Sequence, residues 1–144
     1  MLRTKDNKLV EMEEGAAKLS GVLRRQIEEG FVGVAIPVDV KKKTLKRVRV
    51  YCDVHSPWAA WCEEVKKGFD DELAETFSFD IRFFMFQAAI CLEITGLVDL
   101  LGETLAAKMS GKSVDELLTM IKEDNELTPE EEEQVIKDLQ RIVG

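Results

Sequence analysis

The side chains best suited to chemistry are one histidine, His55, three cysteines, Cys52, Cys62 and Cys91, and the acidic run Glu130–Glu133. A histidine would serve as a general acid or base, a cysteine as a nucleophile, and paired carboxylates as proton carriers. The spacing supports none of these. Leu45, Val48, Cys52 and His55 recur at intervals of three, four and three, so His55 falls on the apolar face of its own helix and reads as structural. Consecutive helical residues point in different directions, so the four glutamates do not converge. Apolar neighbours raise the pKa of the Cys91 thiol and argue against a nucleophile. The cysteines are odd in number and form no CxxC pair, so neither a zinc site nor a disulfide framework is expected. No GxGxxG, phosphate loop, GxSxG or HExxH occurs. The chain reads as a non-enzyme with no cofactor.

Those residues must be positioned by a scaffold built around Ile81–Leu101. This stretch is too apolar all round for a surface helix. It is broken by Arg82, Gln87, Glu93, Gly96 and Asp99, so it is not a membrane span either. It predicts a buried central helix capped by Asp80, a bend near Glu93–Gly96, and a second core helix from about Thr95 to Met109 that stops at Gly111. Upstream, Leu2–Met12 reads as a hairpin around Asp6–Asn7. Glu13–Gly30 reads as helix, in two short pieces if Ser20 caps the second. Phe31–Pro37 reads as a short β-like run. Lys41–His55 is the next helix, and its basic face, within KKKTLKRVR, is read as solvated rather than as a nucleic-acid patch. Trp58 and Trp61 share a helical face, as a partner anchor or, preferably, as packing over the core edge. Glu63–Glu75 reads as a connecting helix.

Two capping boxes mark the last two helices. Ser113 with Glu116 opens the first, which carries Leu117, Leu118 and Ile121. Thr128 with Glu131 opens the second, with Pro129 at the first helical position. Its early glutamates and late Lys137 and Arg141 both complement the helix dipole. Val135, Ile136, Leu139, Ile142 and Val143 form a long apolar stripe, which is either core or a partner surface.

The net charge is −8 and unevenly spread: residues 1–60 carry 12 Lys and Arg against 8 Asp and Glu, whereas residues 61–144 carry 8 against 20. The acidic half argues against nucleic acid and favours a soluble protein that meets other proteins. The start, MLRTKDNKLV, has no apolar leader core, and the reading is of a reducing compartment, cytoplasm and nucleus.

Five stretches carry a family resemblance: LKRVRVYC at 45–52, FDDEL at 69–73, QAAICLEITGLVDLL at 87–101, KMSGKSVDEL at 108–117 and LTPEEEEQV at 127–135. The chain resembles the Skp family of adaptors, which join F-box proteins to cullins in ubiquitin ligases. The resemblance is specific through 87–135 and looser before Lys46. It implies an α/β, mostly helical fold: a BTB/POZ core with a small three-stranded sheet at 1–109, and a two-helix F-box-binding extension at 110–144. Elongin C shares that core and lacks the extension. The implied partners are an F-box protein, on Leu97, Leu101, Leu105, Leu117, Ile121, Val135 and Leu139, and a cullin at Ile90-Cys91.

The chain departs from the family pattern at several places. Ile90-Cys91 stand where the family has Asn-Tyr, which removes polar and aromatic contacts to a cullin. Phe69 replaces the tryptophan of W-D-x-E-F/L, and Val114 the proline after the GK-S/T step. The final-helix tryptophan falls at Arg141 or Ile142, and the family's acidic insertions are shortened. F-box binding survives the comparison better than cullin binding, and an apolar Ile90-Cys91 leaves a homodimer through the BTB-like face as the alternative.

Overall fold

The computed structural model describes residues 1–30, 35–56 and 62–143. Trp58 and Trp61, and the start of the Phe31–Pro37 run, lie outside the described residues. The chain opens with β1 (Leu2–Arg3) and β2 (Leu9–Val10), an antiparallel pair in which Leu2 faces Val10. Asn7 turns the chain between them at φ 59, a left-handed conformation that asparagine tolerates better than most residues. Its side chain accepts a hydrogen bond from Arg3 at 2.9 Å. β3 (Ile36–Pro37) joins the other edge of β1 in parallel, giving the order β2-β1-β3. Strands of two residues supply few ladder bonds, so this sheet is held mainly by burying Leu2, Val10 and Ile36 against the helices.

Between β2 and β3 lie α1 (Glu14–Ala17) and α2 (Gly21–Glu28), the two short pieces expected. Ser20 caps α2, its hydroxyl accepting the Leu23 N–H at 3.1 Å. Gly30, at φ 96, ends the segment in a conformation that costs a residue with a Cβ. Then follow α3 (Lys42–His55), α4 (Glu63–Thr76), α5 (Phe79–Leu92), α6 (Thr95–Met109), α7 (Val114–Lys122) and α8 (Pro129–Val143). The fold is α/β and mostly helical, as the sequence implied.

The core centres on α5, which packs chiefly on α6 and α3. Phe83, Met85 and Ala89 are fully buried and Leu92 nearly so. Fully burying one large apolar side chain contributes roughly 1.5–3 kcal/mol, so this helix is a major source of the hydrophobic stabilisation. Ser78, not Asp80, stands at its N-cap position, and no side chain caps it there. Asp80 lies inside the first turn, where its carboxylate accepts from Ser78 Oγ and, at 3.0 Å, from Asn125 Nδ2.

The bend falls at Glu93, which adopts a left-handed conformation at φ 56. The N–H groups of Glu93 and Ile94 return to the carbonyls of Ile90 and Ala89, closing the helix end. The turn is fastened to the start of α2: Ser20 Oγ donates to the Leu92 carbonyl, Gly21 N–H to the Glu93 carbonyl, and Arg25 pairs with the Glu93 carboxylate. At Gly96 the first turn of α6 passes so close to α3 that a methyl group there would lie 2.6 Å from the Tyr51 hydroxyl. One hydrophobic cluster runs from Leu2 to Leu139 and takes in residues of α7 and α8. Among the described residues no helix is long and apolar enough to cross a membrane.

Candidate protein-docking surfaces

His55 bridges two helices. Its Nε2 lies 2.8 Å from Asp70 Oδ1 on α4, and its ring stacks on Tyr51 at 4.3 Å. The pair ties the end of α3 to α4. Burial, reinforced by the Asp70 charge, pushes the Tyr51 hydroxyl up to about 12, so it stays a neutral packing group. Cys52 is buried, and burial raises its thiol to about 12, which makes it inert. Glu130 is exposed and Glu131–Glu133 diverge: Glu131 bonds to Thr128, Glu132 to Lys122 and Glu133 to Lys137. His55, Cys52 and Glu131–Glu133 are therefore engaged separately, by packing or pairing, while Cys62, Cys91 and Glu130 are exposed.

The C-terminal layer is formed by α6, α7 and α8. Its local structure follows from the two boxes. At Thr128 both halves close: Thr128 Oγ1 accepts from Glu131 N–H at 3.2 Å, and Glu131 Oε1 accepts from Thr128 N–H at 3.1 Å. At Ser113 the hydroxyl accepts from Glu116 N–H at 3.2 Å. The second oxygen of Glu131 reaches the N-terminal region, 3.0 Å from Lys41 Nζ and 3.8 Å from Lys5 Nζ. Partial burial opposes ionisation of Glu131, but the Thr128 amide and Lys41 outweigh it, and the carboxyl titrates below its ordinary value.

Leu97, Leu101, Leu105, Leu117, Ile121 and Leu139 are 0% exposed and Val135 is 1% exposed. All seven stripe residues therefore face inward and hold α6, α7 and α8 to the rest of the core. In this conformation none of them offers a surface. A partner arriving at this layer meets the half-buried rim: Val98, Leu100, Leu118, Met120 and Ile142. Beneath the rim lies a polar fastening that the apolar pattern hid. Asp138, 5% exposed, accepts from Gln87 Nε2 of α5 at 2.9 Å and from Gln134 Nε2 at 3.2 Å. The signal was present in the sequence, since Asp138 interrupts the stripe between Val135 and Leu139, but its partner lies 51 residues away.

The second candidate surface is the end of α5. Ile90 is half-buried and Cys91 exposed. Partial burial and the charge of Asp39 push the Cys91 thiol up, against a hydrogen bond with the Asp39 backbone. The pair sits just before the Glu93 bend, next to the α2 fastening, so it is presented on a braced end rather than on a loose loop.

Comparison with known proteins agrees with this layout. A family model described as "Skp1 family, dimerisation domain" matches residues 95–142, which is nearly the whole α6–α8 layer. The chain is 33% identical to SKP1-like protein 1A of Arabidopsis thaliana, over 97% of this chain and 94% of that protein. It is 34% identical to SKP1-like protein 5 of the same plant, over 91% and 88%. It is 27% identical to the S-phase kinase-associated protein 1 homolog of Tetrahymena thermophila, over 90% and 85%. Likeness of this degree along nearly the full length of both chains places the protein in one group: it belongs to the Skp1 family.

Proposed function

We propose that the protein is a non-catalytic adaptor of a Skp–cullin–F-box ubiquitin ligase, which holds an F-box protein on its α6–α8 layer and a cullin on the BTB-like face at Ile90-Cys91. The observation that carries the reading is the α6–α8 layer itself. It coincides with the matched family region, each of its helices carries an apolar stripe, and a few polar contacts supplement the burial that closes it. An F-box segment would first meet Leu100, Leu118 and Ile142. Reaching the seven buried stripe residues requires α7 and α8 to shift, exchanging contacts within the chain for contacts with the partner. The adaptor would act in cytoplasm and nucleus.

Pull-down of the purified protein with one F-box domain and, separately, with a cullin N-terminal domain tests this, with an Ile90→Asn/Cys91→Tyr variant alongside. Binding of both supports the full adaptor. F-box binding with a cullin recovered only by the variant supports an F-box partner that works without a cullin. Failure with every partner overturns the reading. The surface position of an apolar Ile90-Cys91 pair favours the second form, in which that face makes a homodimer. Light scattering that stays monomeric over a wide concentration range would exclude the homodimer.

A further inference from the structure

A groove between α3 and α4 lies outside both surfaces just described. It encloses about 390 Å3. Val50, Phe69, Leu73 and Phe77 supply its apolar lining. Val50 is 46% exposed and adds apolar surface at the mouth of the groove. On α4 the apolar stripe continues one turn earlier to Val65, which is 45% exposed.

The α3 wall is basic. Lys46 and Arg47 line the groove, and the Arg47 guanidinium lies over the Phe77 ring at 5.9 Å. Lys43 stands one turn before them on the same side. Among the described residues none of these three cations has a carboxylate at ion-pair distance, whereas Lys5, Arg25 and Lys41 are all paired. On a chain of net charge −8, this is a concentration of unneutralised positive charge beside open apolar surface.

We propose that the α3–α4 groove docks a short acidic segment of a partner protein, which inserts one or two large apolar side chains and sets its carboxylates against Lys46 and Arg47. The alkyl stems of those residues extend the apolar lining while their charged heads stay at the rim. The volume sits at the small end of ligand clefts, which suits side-chain anchors rather than a whole docked helix. Glu72 stands on the opposite wall, so the carboxylates of the segment must lie along the α3 side, against Lys46 and Arg47, with only its apolar side chains reaching across. The inference does not rest on the adaptor reading.

The test uses the full chain and a fluorescein-labelled peptide, Asp-Glu-Phe-Glu-Asp-Leu-Glu-Asp, read by fluorescence polarisation. A second peptide has lysine at every acidic position. The acidic peptide is expected to bind and the basic one not to. Val50→Asp and, independently, Lys46→Glu/Arg47→Glu are expected to weaken binding about tenfold or more. Val50 and Lys46 are exposed and Arg47 half-buried, so unchanged circular dichroism and an unchanged thermal midpoint should show that the fold persists. Equal binding of both peptides, or an affinity indifferent to both variants, overturns the proposal. A concentration-dependent mass of the free protein that Val50→Asp abolishes overturns it too, since the groove would then hold a second copy.

Discussion

The α5–α6 pair and the α7–α8 pair are both buried, but by different means. α5 buries most of its circumference, including Phe83, Met85, Phe86 and Ala89, and its position follows from the volume it displaces from water. α7 and α8 bury one stripe each, Leu117 with Ile121 and Val135 with Leu139. Directional contacts then fix where they sit: Asp138 to Gln87, Asn125 to Asp80, and Glu131 to Lys41. Hydrophobic burial is large and has no direction, whereas a hydrogen bond contributes little net energy but demands one geometry. The contrast teaches that α5–α6 is held in place chiefly by the volume it buries, whereas α7–α8 depends in addition on a few directional contacts.

The contrast is broken most directly by cavity mutations. Leu101→Ala, in the middle of α6, is expected to cost about 2–5 kcal/mol of global stability in denaturant unfolding. Leu139→Ala removes the same atoms from an equally buried site, yet it should mainly raise amide exchange within α7 and α8. If both variants expose the same amides, the two pairs are one cooperative unit and the contrast fails.

Next in size is Asp138→Ala. It removes the acceptor shared by the half-buried Gln87 amide and the exposed Gln134 amide, at a cost of about 1.5 kcal/mol in the same unfolding experiment. Asp138→Asn should recover much of that loss, because its carbonyl oxygen still accepts one amide.

A smaller change compares the two caps. Thr128→Ala should cost about 1 kcal/mol, and Ser113→Ala less, since the Thr128 box closes in both directions and also positions Glu131 for Lys41. Equal losses would mean that the tie to Lys41 adds nothing.

The smallest effect is the acid response of the C-terminal pair. Glu131 and Asp80 titrate below their ordinary values of 4.5 and 3.8, and in each case hydrogen bonds outweigh the opposing effect of burial. A carboxyl with a lowered folded pKa contributes stability that is present above its unfolded value and lost as pH falls through the folded one. Loosening of α7–α8 should therefore begin as pH drops below 4.5. Amide exchange against pH reads it directly, and Glu131→Gln should shrink the response.

Much of this was legible residue by residue. Local rules placed the Asn7 turn, the Ser20 and Thr128 caps, the Glu93 bend and the buried α5, because each depends on neighbours within a few positions. Asp80 misled for the same local reason: an acid before an apolar run reads as a cap, but its carboxylate faces Asn125, which is distant in sequence. The seven stripe residues were legible as apolar faces and not as interior ones. An amphipathic helix has the same period whether its stripe meets its own core or a partner.

By itself, then, the sequence determined the α/β, mostly helical class, the helix ends, the absence of known catalytic motifs and the likeness to the Skp family. Only the tertiary structure decided which way the α8 stripe turns, that Asp138 reaches Gln87, that Glu131 ties the last helix to Lys41, and that α3 and α4 leave a groove with a basic wall. The physical reason is range. Turns, caps and periodicity are set by bonds spanning a few residues, whereas these features join residues that meet only when separate helices pack.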